Sequence, residues 1–115
     1  MSCLIYHNPR CSKSRQALAL LQTHGVAPEV RNYLENPLSA AELHALVRAF
    51  GNEFRALLRR DEPEFAALGL DPDTLTAAQL VAAIAAHPRL LQRPIVIAGG
   101  RAVIGRPPES VLAVL

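Results

Sequence analysis

Between Cys3 and Leu34 the chain passes through a short apolar run, a helical stretch and a second alternating run, and this succession constrains the fold most. Cys3-Leu4-Ile5-Tyr6-His7 is rich in strand formers and ends at the turn signal Asn8-Pro9. From Ser12 a helix is expected, with Ala17, Leu18 and Leu21 on one face and Gly25 as its stop. Val30 to Leu34 then alternate as a second strand that Asn36-Pro37 closes. A strand, a helix and a strand joined this closely form a βαβ unit, so the two strands should lie parallel.

The other end of the chain demands the opposite pairing. Ile95-Val96-Ile97-Ala98 and Arg101-Ala102-Val103-Ile104 are joined by Gly99-Gly100, a hairpin signal. Pro107-Pro108 suits the first turn of a final helix carrying Val111, Leu112 and Leu115. The middle reads as helical. Ser39 and Glu42 make a capping-box pattern ahead of Leu43, Leu46, Val47 and Phe50, and Gly51 ends that helix. Phe54 to Arg60 adds a turn or two, and Glu62 to Pro72 holds a short helix at best. Thr76 and Gln79 repeat the capping pattern before Leu80, Val81 and Ile84, with His87-Pro88 as terminator. The expected architecture is α/β: βαβ plus ββα around one mixed four-stranded sheet, with a helical insertion at about 39–88. That is the thioredoxin-like plan, in a single domain over 1–115.

Composition agrees and excludes several classes. A chain of 115 residues, half of them hydrophobic and 19% charged, can bury one real core. Disordered, collagen-like and disulfide-scaffold chains have other compositions. No apolar run approaches the ~20 residues of a membrane span, and the N-terminus lacks the apolar core of a signal peptide. The chain therefore reads as cytoplasmic, with no membrane partner. Nucleic acid is a poor fit despite the net charge of +2: the basic residues are scattered from Arg10 to Arg106, and only two Tyr and three Phe could stack on bases. His7, His24, His44 and His87 stand singly, so no metal site is expected. Cys3 and Cys11 form no C-x-x-C motif, because Ser14 stands where the second thiol would be.

The stretch from His7 to Arg15 carries the chemistry. Cys11 sits in the loop leaving the first strand, at the start of a helix. A helix N-terminus offers unpaired N–H groups and about half a positive charge, which favour thiolate over thiol. Arg10, Lys13 and Arg15 push the same way, so a pKa below the free value of ~8.5 is expected. The same N–H groups cradle an oxyanion. Cys3, inside an apolar strand, reads instead as a small core hydrophobe. His7 either orients the loop or simply ends the strand. Ser14 either donates a hydrogen bond to the thiolate or is solvated, and Arg15 either supports the thiolate or is a surface residue.

His7-Asn8-Pro9-x-Cys11-x-x-Ser14-Arg15, with the later Tyr33-Leu34-Glu35-Asn36-Pro37, resembles the glutaredoxin-coupled arsenate reductase family, which is grouped with the Spx regulators. The likeness continues through Arg55-Ala56-Leu57-Leu58-Arg59, Leu68-Gly69-Leu70, His87-Pro88, Arg93-Pro94-Ile95-Val96 and Gly105-Arg106-Pro107, in order along the chain. The match is to its short, single-cysteine subgroup. The resemblance implies that Cys11 attacks arsenate to give a thiol–arsenate adduct, and that Arg59, Arg93 and Arg106 hold the oxyanion. It implies a cis bond before Pro94, no bound cofactor, glutathione as co-substrate and glutaredoxin as partner. Guanidinium forks suit tetrahedral oxyanions and offset the charge that would repel a thiolate. With one thiol at the site, an external thiol must attack the adduct, which in this family is glutathione.

Two other functions are compatible with such a chain. One is a general glutathione-dependent thiol oxidoreductase acting on disulfides, since fold does not dictate function. The other is a Spx-like redox regulator binding a protein partner, against which the missing C-x-x-C counts. A phosphatase-type reductase would need an Arg six positions after the cysteine, where the chain has Ala17.

Overall fold

In a computed structural model, which describes residues 2–115, the first strand pairs on both of its edges. β1 (Cys3–His7) lies between β2 (Glu29–Asn32) and β3 (Ile95–Ala98), and β4 (Arg101–Ile104) completes a four-stranded sheet of order β2-β1-β3-β4. β1 runs parallel to β2 and antiparallel to β3, and β3 is antiparallel to β4. The mixed sheet follows from its connections: α1 (Ser12–Thr23) carries the chain across between the parallel strands, and the two-residue turn reverses it between β3 and β4. Gly99 and Gly100 have φ of +58° and +76° there, the left-handed pair that a tight turn matching strand twist requires.

The chain divides into two compact units, one made of the residues up to Asn36 together with Arg93–Leu115, the other of Pro37–Gln92. In the first, Cys3 and Ile5 of β1 meet Ala17 and Leu21 of α1, Val96 and Ala98 of β3, and Val111 and Val114 near the C-terminus. Cys3 is thus the core hydrophobe its setting implied, and burial raises its thiol pKa.

Two elements of this first unit differ from expectation. β2 spans Glu29–Asn32 and stops short of Leu34, because Asn32 starts a turn. Its carbonyl accepts the N–H groups of Glu35 and Asn36, and its Oδ1 accepts that of Leu34 at 3.0 Å. The C-terminal helix, Pro108–Val114, is a 3₁₀ helix rather than an α-helix. Three residues per turn put Pro108, Val111 and Val114 in one buried row, while Leu115 is exposed.

The second unit is helical: α2 (Ala40–Phe50), a 3₁₀ stretch Gly51–Leu57, α3 (Pro63–Leu68), α4 (Ala77–Ala86) and a 3₁₀ turn Pro88–Leu90. Both capping boxes form. Ser39 Oγ accepts from Glu42 N–H at 3.1 Å and Glu42 Oε1 accepts from Ser39 N–H at 2.8 Å. Thr76 and Gln79 repeat this at 3.1 and 2.9 Å. The helical turns expected over Phe54 to Arg60 thus begin earlier and stop at Leu57, because Leu58 is extended and bridges Leu91 in antiparallel fashion. No helix among the described residues is long and apolar enough to cross a membrane.

The peptides before Pro94 and Pro107 are both cis; the first was implied by the resemblance, the second was not singled out. Gly105, whose N–H donates to the Pro94 carbonyl at 2.9 Å, packs against this turn so closely that an added Cβ would lie 2.7 Å from Pro94 Cγ and 3.0 Å from Val111 Cγ1. Gly105→Ala should therefore destabilise the fold by about 1–3 kcal/mol, the usual penalty of overpacking. Urea denaturation checks this, and an unchanged midpoint would mean the turn relaxes freely.

Candidate active site

Strand register brings four segments to one end of the sheet. β1 ends at His7, opposite Asn32 at the end of parallel β2, so Asn8 and Tyr33 leave adjacent strands side by side. β3 runs the other way and begins at Ile95, opposite Tyr6, which puts Arg93 at the same end. Ile104, the last residue of β4, faces Ile95, and Arg106 follows two residues later. The loop carrying Cys11 departs from this edge as well.

Within the loop, Cys11 is the N-cap of α1, with extended φ and ψ of −93° and 123°. Its N–H donates to the Asn8 carbonyl at 3.0 Å, and its own carbonyl accepts the Arg15 N–H at 3.0 Å. The sulfur is therefore held at the first turn of the helix. Burial alone would raise the thiol pKa. The Ser14 backbone N–H, the Arg93 guanidinium and the Lys13 backbone N–H outweigh it, so the thiol lies below its ordinary range. Arg93 contributes both a hydrogen bond and its charge. Arg106 Nη2 approaches the sulfur at 3.6 Å, and its Nε donates to the Arg93 carbonyl at 2.8 Å, which ties the two arginines together.

The expected supporting residues act through the loop. Ser14 reaches the sulfur by its backbone N–H, not by its hydroxyl. That hydroxyl, fully buried, lies 2.6 Å from His7 Nδ1 and accepts the Asn8 N–H at 3.0 Å. His7 is buried too; desolvation, and then the Arg15 charge, lower its pKa, so the ring is neutral at neutral pH. Arg15 Nη1 donates to the Pro9 carbonyl at 2.9 Å and so braces the loop. Ser14→Ala would leave the Asn8 N–H and the His7 ring without their buried partner. A stability loss of about 1–3 kcal/mol should follow. The Ser14 backbone N–H remains, so the pH dependence of Cys11 alkylation should move little.

Arg59 belongs to the second unit. Its N–H donates to the Leu90 carbonyl at 2.7 Å, and its largely buried guanidinium lies 3.6 Å from Glu62 and 3.8 Å from Asp61. It lines a cleft of about 420 Å³ with Arg55, Arg60, Asp61, Asp73 and Gln92. Nη1 of Arg59 is buried and makes no hydrogen bond.

Tyr33 was not among the expected site residues. It is only 1% exposed, and burial raises its pKa, opposed by the Arg93 charge, a hydrogen bond from the Asn8 side chain and the Arg106 charge, while the Cys11 charge adds to the rise. Its place at the head of Tyr33-Leu34-Glu35-Asn36-Pro37 was the available signal, but nothing local in that motif points toward a cysteine met more than twenty residues earlier.

A thioredoxin-like fold with one reactive cysteine at a helix N-terminus, faced by guanidinium groups, defines the class. The chain belongs to the ArsC family, whose profile matches residues 6–114. It is 45% identical to a Haemophilus influenzae protein named arsenate reductase, over all of both chains. It is 49% identical to the Escherichia coli protein YfgD, described as uncharacterized, over 96% of this chain and 94% of that one. Among solved structures, an arsenate reductase from Vibrio cholerae superposes with a TM-score of 0.93 at 50% identity, covering 100% of this chain and 98% of the other.

Proposed function

We propose that this protein reduces arsenate to arsenite by way of a Cys11 thiol–arsenate adduct. The observation that carries the reading is the Cys11 sulfur held between the first-turn N–H groups of α1 and the guanidiniums of Arg93 and Arg106. A depressed thiol pKa supplies thiolate at neutral pH, and two cations lower the repulsion between that thiolate and an approaching oxyanion. Arg59 is the third guanidinium that the resemblance assigns to the oxyanion.

In the adduct the arsenic is still pentavalent. A glutathione thiol attacks the Cys11 sulfur, forming the mixed disulfide; the sulfur–arsenic bond breaks and its electron pair leaves with arsenic as arsenite. Two thiols thus supply the two electrons. Cys3 is not a resolving thiol in this scheme, because it is packed in the core among Ile5, Ala17 and Leu21. Glutaredoxin returns Cys11 to the thiol by taking up the glutathione.

The test is arsenate-dependent NADPH oxidation in the presence of glutathione reductase, with glutathione and glutaredoxin added or omitted in turn. Turnover that needs arsenate and both thiol components supports the scheme. Turnover on a low-molecular-weight disulfide without any on arsenate would replace it with a general thiol oxidoreductase. The sequence-based expectations of a cytoplasmic location and of no bound cofactor accompany this reading.

A further inference from the structure

Tyr33 is a polar side chain almost wholly enclosed by the protein. It is buried to 1% exposure at the end of β2. The turn begun by Asn32, which accepts the N–H groups of Leu34, Glu35 and Asn36, holds the backbone on its far side. On its near side the Asn8 amide is fixed in orientation, because Asn8 Oδ1 accepts the Arg10 N–H at 3.0 Å. The NH₂ end of that amide is left to donate to the Tyr33 oxygen. An oxygen that accepts from Asn8 keeps its own O–H for another partner, and its charged neighbours are Arg93, Cys11 and Arg106.

Attack of the Cys11 thiolate on arsenate expels an oxygen, and that oxygen needs a proton to depart as water. The groups set against the sulfur are poor sources. Arg93 and Arg106 hold their protons in any protein environment. The Ser14 hydroxyl is committed to His7 and Asn8, and backbone N–H groups do not ionise. Burial raises the Tyr33 pKa above the ordinary phenol value, against the opposing pull of Arg93, the Asn8 amide and Arg106, and a phenol remains a stronger acid than water, the conjugate acid of the leaving hydroxide.

We propose, resting on the arsenate reductase reading, that the Tyr33 hydroxyl hydrogen-bonds the bound oxyanion and protonates the oxygen that leaves when Cys11 attacks. In this step the sulfur–arsenic bond forms and one arsenic–oxygen bond breaks. The departing hydroxide takes the phenol proton and leaves as water. Arsenic stays pentavalent and no electrons are transferred to it. The Arg93 and Arg106 charges and the Asn8 amide offset part of the cost that burial places on the phenolate, which regains its proton from solvent.

Tyr33→Phe keeps the ring and removes the hydroxyl. The kcat for arsenate should fall about 10²-fold, in the range for loss of a general acid. Protection of Cys11 from iodoacetamide by arsenate should weaken less than about tenfold, the worth of one hydrogen bond. The deficit relative to wild type should widen as pH rises, since the variant must draw its proton from solvent. A variant kcat within about threefold of wild type, alongside wild-type turnover, overturns the role of Tyr33 and leaves the arsenate reductase reading intact. A loss confined to KM and to protection, with kcat and its pH profile unmoved, also overturns proton donation. Absence of arsenate turnover in the wild type overturns both readings.

Discussion

Cys11→Ser should reduce arsenate-dependent NADPH oxidation by more than about 10³-fold, because an alcohol at this position cannot replace the ionised covalent nucleophile. The folded state should survive. Cys11 is the N-cap of α1, where its side chain makes no capping bond, and serine is a preferred residue at N-caps. Thermal denaturation should show a midpoint equal to or above that of the wild type. Activity near the wild-type level in this variant would remove the sulfur from the mechanism altogether. Equal activity loss with an unfolded variant would instead mean that the loop, not the thiolate, had been tested, and Cys11→Ala would then separate the two.

Arg93→Ala should have two effects that pH separates. Arg93 hydrogen-bonds the Cys11 sulfur and lowers its pKa by its charge. Without it, burial is opposed by fewer groups, and the thiol pKa should rise. The rate of Cys11 alkylation, which follows the thiolate fraction, should therefore titrate at higher pH than in the wild type. Above the raised pKa the two proteins should alkylate at similar rates. Arsenate reduction should stay impaired there, by about 10²–10³-fold in kcat/KM, because the oxyanion still lacks a donor. An alkylation profile that does not move would assign the depressed thiol pKa to the helix N–H groups alone. Recovery of arsenate reduction at high pH would mean that Arg93 serves only the thiolate.

The contrast with Ser14→Ala is informative. Ser14 and Arg93 both touch the sulfur, but Ser14 does so through a backbone group that alanine retains. Stability should fall in one variant and reactivity in the other. Removing Tyr33's hydroxyl should affect mainly the proton economy of the first step, so the three substitutions probe the loop, the charge and the leaving group separately.

Much of this protein is legible in its sequence. Periodicity and turn chemistry are local, and they specify β1, α1, the Gly99-Gly100 hairpin and both capping boxes, each of which depends on residues within a few positions of one another. The mixed sheet then follows from connection lengths. The reactivity of Cys11 is also local, since most of what surrounds its sulfur in sequence, the Lys13 and Ser14 N–H groups, belongs to the same helical turn. Where local rules compete, the sequence is less decisive. The alternation through Leu34 suggested a longer β2, but the side chain of Asn32 captures the backbone first. The paired prolines at the last helix suggested an α-helical turn, and the buried row of Pro108, Val111 and Val114 selects three residues per turn instead.

What tertiary structure decided is which side chains share the space in front of the sulfur. Arg93 and Arg106 are more than eighty residues from Cys11 along the chain, and only the antiparallel register of β3 with β1 and of β4 with β3 delivers them to the end where β1 releases its loop. Tyr33 arrives there by the parallel register of β2. The committed hydroxyl of Ser14, bound to His7 and Asn8, is likewise a consequence of packing. A sequence specifies the elements because their hydrogen bonds and periodicities are short-range. It points to Cys11 as the candidate nucleophile because a helix N-terminus is a local electrostatic feature. The groups around its sulfur are set by strand register, a long-range property that emerges once the sheet has closed its core.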